Sequence, residues 1–131
     1  MVIEGAGMAL TIDGETIQVD RPFEPLFFSG DAKTECRLID GKIRDFNFMI
    51  AREFGKGLLQ VYRLERTMIA RLREDTCAVH VLAGAVALNT NETRDLAVGD
   101  TWVTDEPRKA TVEASSQAIV AALSIDAPDA D

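Results

Sequence analysis

Residues 27–49 read FFSGDAKTECRLIDGKIRDFNFM, and their pattern decides the fold class. Residues 34–39 and 42–51 are two strand-like runs joined at Asp40-Gly41, a dipeptide favoured in tight turns because both positions tolerate φ > 0. The stretch therefore predicts a β-hairpin. In its second run Arg44, Phe46, Phe48 and Ile50 share one face, and Asp45, Asn47 and Met49 share the other. The aromatic face is the expected core face, and the mixed one faces either solvent or a polar cavity. A two-residue loop would set Arg37 opposite Arg44, a repulsive pair unless each finds an anion. A longer loop would remove that conflict, as would convergence of the arginines on a ligand or on Asp31, Glu35 or Asp45. An internal salt-bridge network is the simpler reading, and a ligand site is the sharper one.

Working outward, the same period-two pattern recurs. Residues 2–12 turn at Asp13-Gly14 into the alternating run 15–19, a second hairpin signal. Two prolines, Pro22 and Pro25, mark a connection, and Leu26-Phe27-Phe28 reads as a short strand. Gly5-Ala6-Gly7 opens no helix and reads as a turn or bulge rather than a phosphate loop. Downstream, residues 58–64, 67–72, 77–82, 85–88, 93–98, 101–104, 110–113 and 117–125 supply further strands separated by turn residues. Residues 114–123 are alanine-rich enough to pass for helix, but Ile119-Val120 and the flanking serines favour strand. A dozen short strands with no sustained 3.6-residue period is the pattern of an all-β barrel or sandwich. Residues 126–131, DAPDAD, form an acidic tail expected to be disordered.

The chain repeats itself weakly. Val2-Ile3-Glu4-Gly5-Ala6 matches Val81-Leu82-Ala83-Gly84-Ala85 in register, 79 residues apart from Gly5 to Gly84. After a one-residue slip, Met8-Ala9-Leu10 corresponds to Val86-Ala87-Leu88. Two copies of one β unit predict a duplicated barrel, with residues 1–57 as the remainder of a first unit and 58–125 as a second. The first copy begins at residue 2, so the strands that precede the second have no counterpart in it. An N-terminally truncated first barrel is the expectation.

The 131 residues suit one globular unit with a proper core. The formal charge of −8 repels phosphate backbones, which argues against a broad nucleic-acid surface. No apolar run approaches a membrane span, and the N-terminal residues show no basic region followed by an apolar core, so no secretory signal is expected. Cys36 and Cys77 are too few for a disulfide scaffold, so reduced thiols and a soluble cytoplasmic protein are expected. The basic stretch with Arg63, Arg66, Arg71 and Arg73 reads as a solvated strand face.

The segments Ile3-Glu4-Gly5-Ala6-Gly7, Asp20-Arg21-Pro22-Phe23-Glu24-Pro25, Phe28-Ser29-Gly30-Asp31-Ala32, Cys36 to Gly41 and Arg44-Asp45-Phe46-Asn47-Phe48-Met49 together resemble the HutD/Ves family. Five ordered segments at consistent spacing carry that resemblance over residues 2 to about 50. It implies a cupin-like bicupin fold (a double-stranded β-helix barrel) and an association with histidine utilisation. It further implies a non-enzymatic binding or regulatory protein that senses a small polar metabolite, such as an acidic intermediate of histidine breakdown. Family members carry more strands before the position of Val2, with a Pro-Trp-Lys-Asn-Gly-Gly-Gly-like motif that this sequence lacks.

Candidate ligand contacts are Arg37, Arg44, Asp45 and Asn47, with Arg37 and Arg44 for an anionic group and Asn47 for hydrogen bonding. Metal catalysis needs clustered ligands, and the one histidine, His80, lies between Val79 and Val81 on an apolar strand. It reads as a core histidine with a satisfied ring nitrogen, and no metal or cofactor is expected. Cys77 and His80, three residues apart on a strand, should project to opposite faces and not meet. The alternatives are a cupin-type isomerase or hydrolase using Asp45 as acid or base, and a protein-interaction remnant with no ligand. An open first barrel exposes strand edges, so a homo-oligomer covering the edge from Val2 to Leu10 is expected.

Overall fold

A computed structural model describes residues 1–106 and 108–128 of the chain. The acidic tail therefore lies partly outside the described residues. Asp13 and Gly14, at φ 47° and 88°, make the predicted tight turn. They join β2 (Met8–Ile12) to β3 (Glu15–Val19), paired antiparallel from Met8↔Val19 to Ile12↔Glu15. Before them lies β1 (Val2–Glu4), and after them come β4 (Thr34–Leu38) and β5 (Arg44–Asp45). These five strands belong to a first unit, Met1–Met49. They form a three-stranded sheet of order β3-β2-β4 and a two-stranded sheet β1-β5. Val2, Met8, Leu10 and Val19 are buried between them, with Ile12, Leu26 and Ile43 packed against that cluster.

Three expectations fail in this unit. The opening stretch is not a hairpin: β4 pairs with β2 and β5 pairs with β1, so Asp40-Gly41 passes the chain from one sheet to the other. Gly41 does adopt a left-handed φ of 69°. The dipeptide signals a tight turn, but only the partners available in the fold decide whether the flanking strands pair with each other. Residues 26–28 form no strand. The edge expected from Val2 to Leu10 fails in its β2 part, because β2 is the central strand of its sheet, while β1 has β5 as its one ladder partner among the described residues.

The second unit spans Ile50–Asp131. A single 3-10 turn, Arg52–Phe54, precedes β6 (Lys56–Leu64), β7 (Ile69–Arg71), β8 (Thr76–Ala83) and β9 (Ala85–Asn89). Then come β10 (Thr93–Ala97), β11 (Thr101–Val103), β12 (Thr111–Ala114) and β13 (Ala118–Asp126). Residues 114–123 are thus strand and turn, not helix. Two four-stranded antiparallel sheets result, β10-β9-β12-β7 and β11-β8-β13-β6. Their facing sides bury Val79, Val81, Leu88, Val112 and Val120, each completely, together with Leu64, Leu72 and a row of alanines. Alternation along each strand places these residues on one side, where apolar burial drives the two sheets together. Arg63, Arg66, Arg71 and Arg73 are all solvent-exposed, as a solvated face requires. Arg73 forks onto Asp75 at 2.9 and 2.7 Å and reaches Asp126 at 3.2 Å.

The internal repeat is a repeat of topology. In each unit a strand leaves one sheet at a left-handed glycine and enters the other: β1 to β2 across Gly5, φ 97°, and β8 to β9 across Gly84, φ 71°. A hairpin follows in both, β2–β3 and β9–β10. The returning strand then pairs beside its start, β4 on β2 and β12 on β9. The last strand closes on the first: Asp45 faces Val2 and Arg44 faces Glu4, while Val120 faces Val81 and Ile119 faces Ala83. Both closures carry a register irregularity at the same place. Even the connection between agrees, since the Phe23 N–H donates to the Val2 carbonyl as the Gly99 N–H does to the Val81 carbonyl. Unit 2 has β6 and β7 in addition, paired with β13 and β12. The corresponding sides of β5 and β4 carry no strand among the described residues.

Candidate functional site

The equivalence of the two units assigns faces to the polar residues of β5. Residues paired directly across antiparallel strands project to the same side of the sheet. Asp45 pairs with Val2, which is wholly buried in the apolar cluster of unit 1. Asp45 therefore stands on the interior face, where Val120 stands in unit 2. Asn47, two residues on, donates from Nδ2 to Asp45 Oδ2 at 3.1 Å. Its counterpart by the same spacing is Ala122, also in the unit 2 core. The interior positions that are Val and Ala in one unit are thus a carboxylate and a carboxamide in the other, both exposed. Inward positions of β4 are mixed: Cys36, opposite Leu10, donates its thiol to Met8 Sδ at 3.6 Å.

The two arginines lie elsewhere. Arg44 projects from the opposite face to Asp45 and pairs with Glu4, its cross-strand partner, at 3.5 Å in an exposed ion pair. Arg37 sits in the other sheet, opposite Ala9, and is exposed. The structure brings Asp45 and Asn47 together, and Arg44 with Glu4. It does not bring Arg37 and Arg44 opposite each other, because β4 and β5 are not partners. Glu35 takes Lys33 at 3.8 Å instead of an arginine.

In unit 2, Cys77 and His80 project apart as strand alternation requires. The Cys77 thiol donates to the Leu123 carbonyl at 3.3 Å, and His80 Nδ1 lies 2.7 Å from Thr101 Oγ1. Burial pushes the Cys77 thiol up from its usual range, which makes it a poor nucleophile near neutral pH. Burial pulls the His80 imidazole down, partly opposed by Asp100. Both cysteines are free thiols. Among the described residues, no three His, Cys, Asp or Glu side chains gather where they could share a metal. No helix of the described residues is long and apolar enough to cross a membrane.

One polar feature escaped the sequence reading. An open depression of about 460 Å³ in unit 2 is lined by Thr90, Asn91, Glu106, Arg108 and Lys109. Arg108 donates to Glu106 at 3.0 Å, while its Nε is buried without a partner among the described residues. The adjacent basic pair Arg108-Lys109 was the signal available in the sequence. In unit 1 a smaller hollow of about 180 Å³ runs from Ile17 to Leu26.

Two antiparallel sheets closed by this order of strands define a cupin-like β-sandwich protein. Residues 1–122 match the family model HutD, and the chain belongs to the HutD family. A solved structure of a conserved protein of unknown function from Pseudomonas aeruginosa PAO1 is 29% identical, with a TM-score of 0.85. It matches 97% of this chain and 70% of its own. HutD from Pseudomonas fluorescens SBW25 is 28% identical with a TM-score of 0.69, over 96% of this chain and 66% of that one. A curated relative, described as an uncharacterized 21.2 kDa protein in the hutC 3' region of Pseudomonas putida, is 39% identical over 59 residues. That match covers 45% of this chain and 31% of the relative, so it spans about a third of the relative's length. Salicylate 1,2-dioxygenase from Pseudoaminobacter salicylatoxidans shares the fold at a TM-score of 0.52 and 13% identity, over 95% of this chain and 61% of that one.

Proposed function

We propose that this chain is a non-enzymatic, regulatory binding protein of histidine utilisation, taking a small polar metabolite on the interior face of unit 1. The family is linked to the histidine utilisation locus. The observation that carries the reading is the Asp45–Asn47 pair, held at 3.1 Å where unit 2 places Val120 and Ala122. Both side chains are exposed, so they can meet a ligand without the cost of a buried polar group. Asp45 accepts and Asn47 both accepts and donates, which suits an amine, imidazole or amide end of a ligand. Arg44, on the opposite face of β5, and Arg37, in the other sheet, stand apart from this pair and remain separate candidates for an anionic group.

Isothermal titration with histidine and its carboxylate-bearing breakdown products tests this. One of them should bind, and Asp45→Ala and Asn47→Ala should each weaken it on the order of tenfold, about the worth of one charge-assisted hydrogen bond. Because both side chains are exposed, the melting temperature should hold. Binding that survives both substitutions, or no heat with any of these compounds, rejects the reading.

A further inference from the structure

The depression at Thr90, Asn91, Glu106, Arg108 and Lys109 is lined by unit 2 residues alone, and unit 1 shows what stands in the equivalent place. The units align through Leu10 opposite Cys36 and Leu88 opposite Val112. Counting outward from those pairs, Asn91 stands where unit 1 has Asp13, and Lys109 where it has Lys33. In unit 1 this turn is tied to the returning strand. The Asp13 carboxylate accepts from the Lys33 N–H at 3.0 Å, and the Asp13 N–H donates to the Lys33 carbonyl at 2.9 Å. The Lys33 ammonium meets Glu35 at 3.8 Å. Unit 2 has neither carboxylate: Asn91 replaces Asp13, and Thr111 replaces Glu35. It also has a further cation, Arg108, where unit 1 has Ala32. The turn groups of unit 2 satisfy one another instead. The Thr90 N–H donates to the Glu92 carbonyl at 2.8 Å, and the Thr90 hydroxyl donates to Asn91 Oδ1 at 3.2 Å, which leaves the Asn91 amide N–H groups for another partner. The Glu92 carboxylate is held by Arg94 at 3.1 Å.

We propose that this hollow is a second binding site, separate from Asp45 and Asn47, that takes a small monoanion through its carboxylate group. The Arg108 backbone is fixed there by its N–H, which donates to the Glu74 carbonyl at 3.3 Å. Its Nη2 donates to Glu106, but its buried Nε has no partner among the described residues. A buried donor on a charged group is costly to leave unpaired, and native structures match such groups with an acceptor. A carboxylate supplies one: an oxygen accepts from the Nε–H, and the Lys109 ammonium and Asn91 amide line the same hollow as donors for the rest. The planar guanidinium suits a planar carboxylate better than it suits a spherical anion. Charge selects a monoanion. Arg108 and Lys109 against Glu106 leave one positive charge, which a single carboxylate neutralises, whereas a dianion would meet the −8 field of the chain with charge to spare. A hollow of about 460 Å³ has room for a small metabolite behind that group.

NMR of the arginine Nε–H groups tests this on the whole chain, with the Arg108 signal identified by its loss in Arg108→Lys. Sodium acetate, exchanged for chloride at constant ionic strength, should move that signal to saturation without saturating that of the exposed Arg66. Asn91→Asp restores the carboxylate found in unit 1 and should weaken acetate binding about tenfold, the worth of one charge-assisted hydrogen bond. Glu106→Gln removes the competing carboxylate and should tighten it. Asp45→Ala should leave the titration unchanged, so failure of the unit 1 site and failure of this one are told apart. Circular dichroism confirms that these surface variants stay folded. An Arg108 signal that never saturates, or that chloride moves as far as acetate does, assigns the Nε–H to solvent and overturns the proposal. Phosphate saturating at lower concentration than acetate, or binding indifferent to Asn91→Asp, overturns the monoanionic carboxylate equally.

Discussion

Gly84 is the residue at which the duplicated topology can be broken with one methyl group. β8 ends there and β9 begins in the facing sheet, at φ 71°. An added Cβ would collide with the Gln117 carbonyl oxygen and lie 3.0 Å from Ala118 Cα and 3.1 Å from its Cβ. These atoms lead into β13, which is hydrogen-bonded on both sides by β6 and β8 and has no freedom to retreat. Two costs follow for Gly84→Ala. A left-handed conformation costs an L-residue about 1–2 kcal/mol. Forcing atoms into a packed interior costs about 1–3 kcal/mol more. The sum, about 2–5 kcal/mol, is a large share of the roughly 5–15 kcal/mol that stabilises a domain. At roughly 3 °C per kcal/mol for a chain of this size, melting should fall by about 6–15 °C.

Gly99 supplies the control. It has φ 89°, but a Cβ there meets nothing within 4 Å. Gly99→Ala therefore carries the backbone cost alone, about 1–2 kcal/mol. Both residues lie in unit 2, so one unfolding transition reports both. Urea denaturation followed by far-ultraviolet circular dichroism separates the two costs. If Gly84→Ala is no less stable than Gly99→Ala, the close approach of the β8–β9 crossing to β13 is wrong. Gly5, whose Cβ would meet the Lys42 carbonyl oxygen at 2.5 Å and Ile43 Cα at 3.0 Å, should behave as Gly84 does if the units are true equivalents.

Three further outcomes are expected. Leu88→Ala, wholly buried in the unit 2 core, should cost about 2–5 kcal/mol in a urea titration. Met49→Ala, 88% exposed, should stay within about 0.5 kcal/mol. The His80 imidazole is pulled below its unfolded value by burial, so above about pH 6.5 it is neutral in both states and contributes no slope. As pH falls below that value the unfolded chain takes up the proton first, and stability drops. His80→Gln should melt with less dependence on pH between about 7.5 and 5.5 than the wild type, and equal slopes would contradict the assignment.

How much was legible in the sequence depended on the range of the interaction. Asp13-Gly14 makes its hairpin because the left-handed positions and the alternating runs are neighbours in the chain. The all-β class, the positions of most strands in unit 2 and the equivalence of Gly5 with Gly84 follow from the same short-range signals. The cupin-like fold and the HutD family were legible from five segments in the first fifty residues. Asp45 and Asn47 were correctly placed on one face, since period two alone decides that.

Partner choice was not legible. Asp40-Gly41 carries the same turn chemistry as Asp13-Gly14, yet its flanking strands belong to different sheets. A turn sets a local φ, whereas strand pairing is decided by which edges are free once the whole chain has collapsed. That is why Arg37 and Arg44, opposed on paper, stand in separate sheets, and why Arg44 meets Glu4 from the far end of the unit. By itself the sequence determined that this chain folds as repeated β units with a polar pair in residues 27–49. Only the tertiary structure decided that Asp45 stands opposite the buried Val2, because pairing is a property of both strands and no stretch of sequence carries its partner with it.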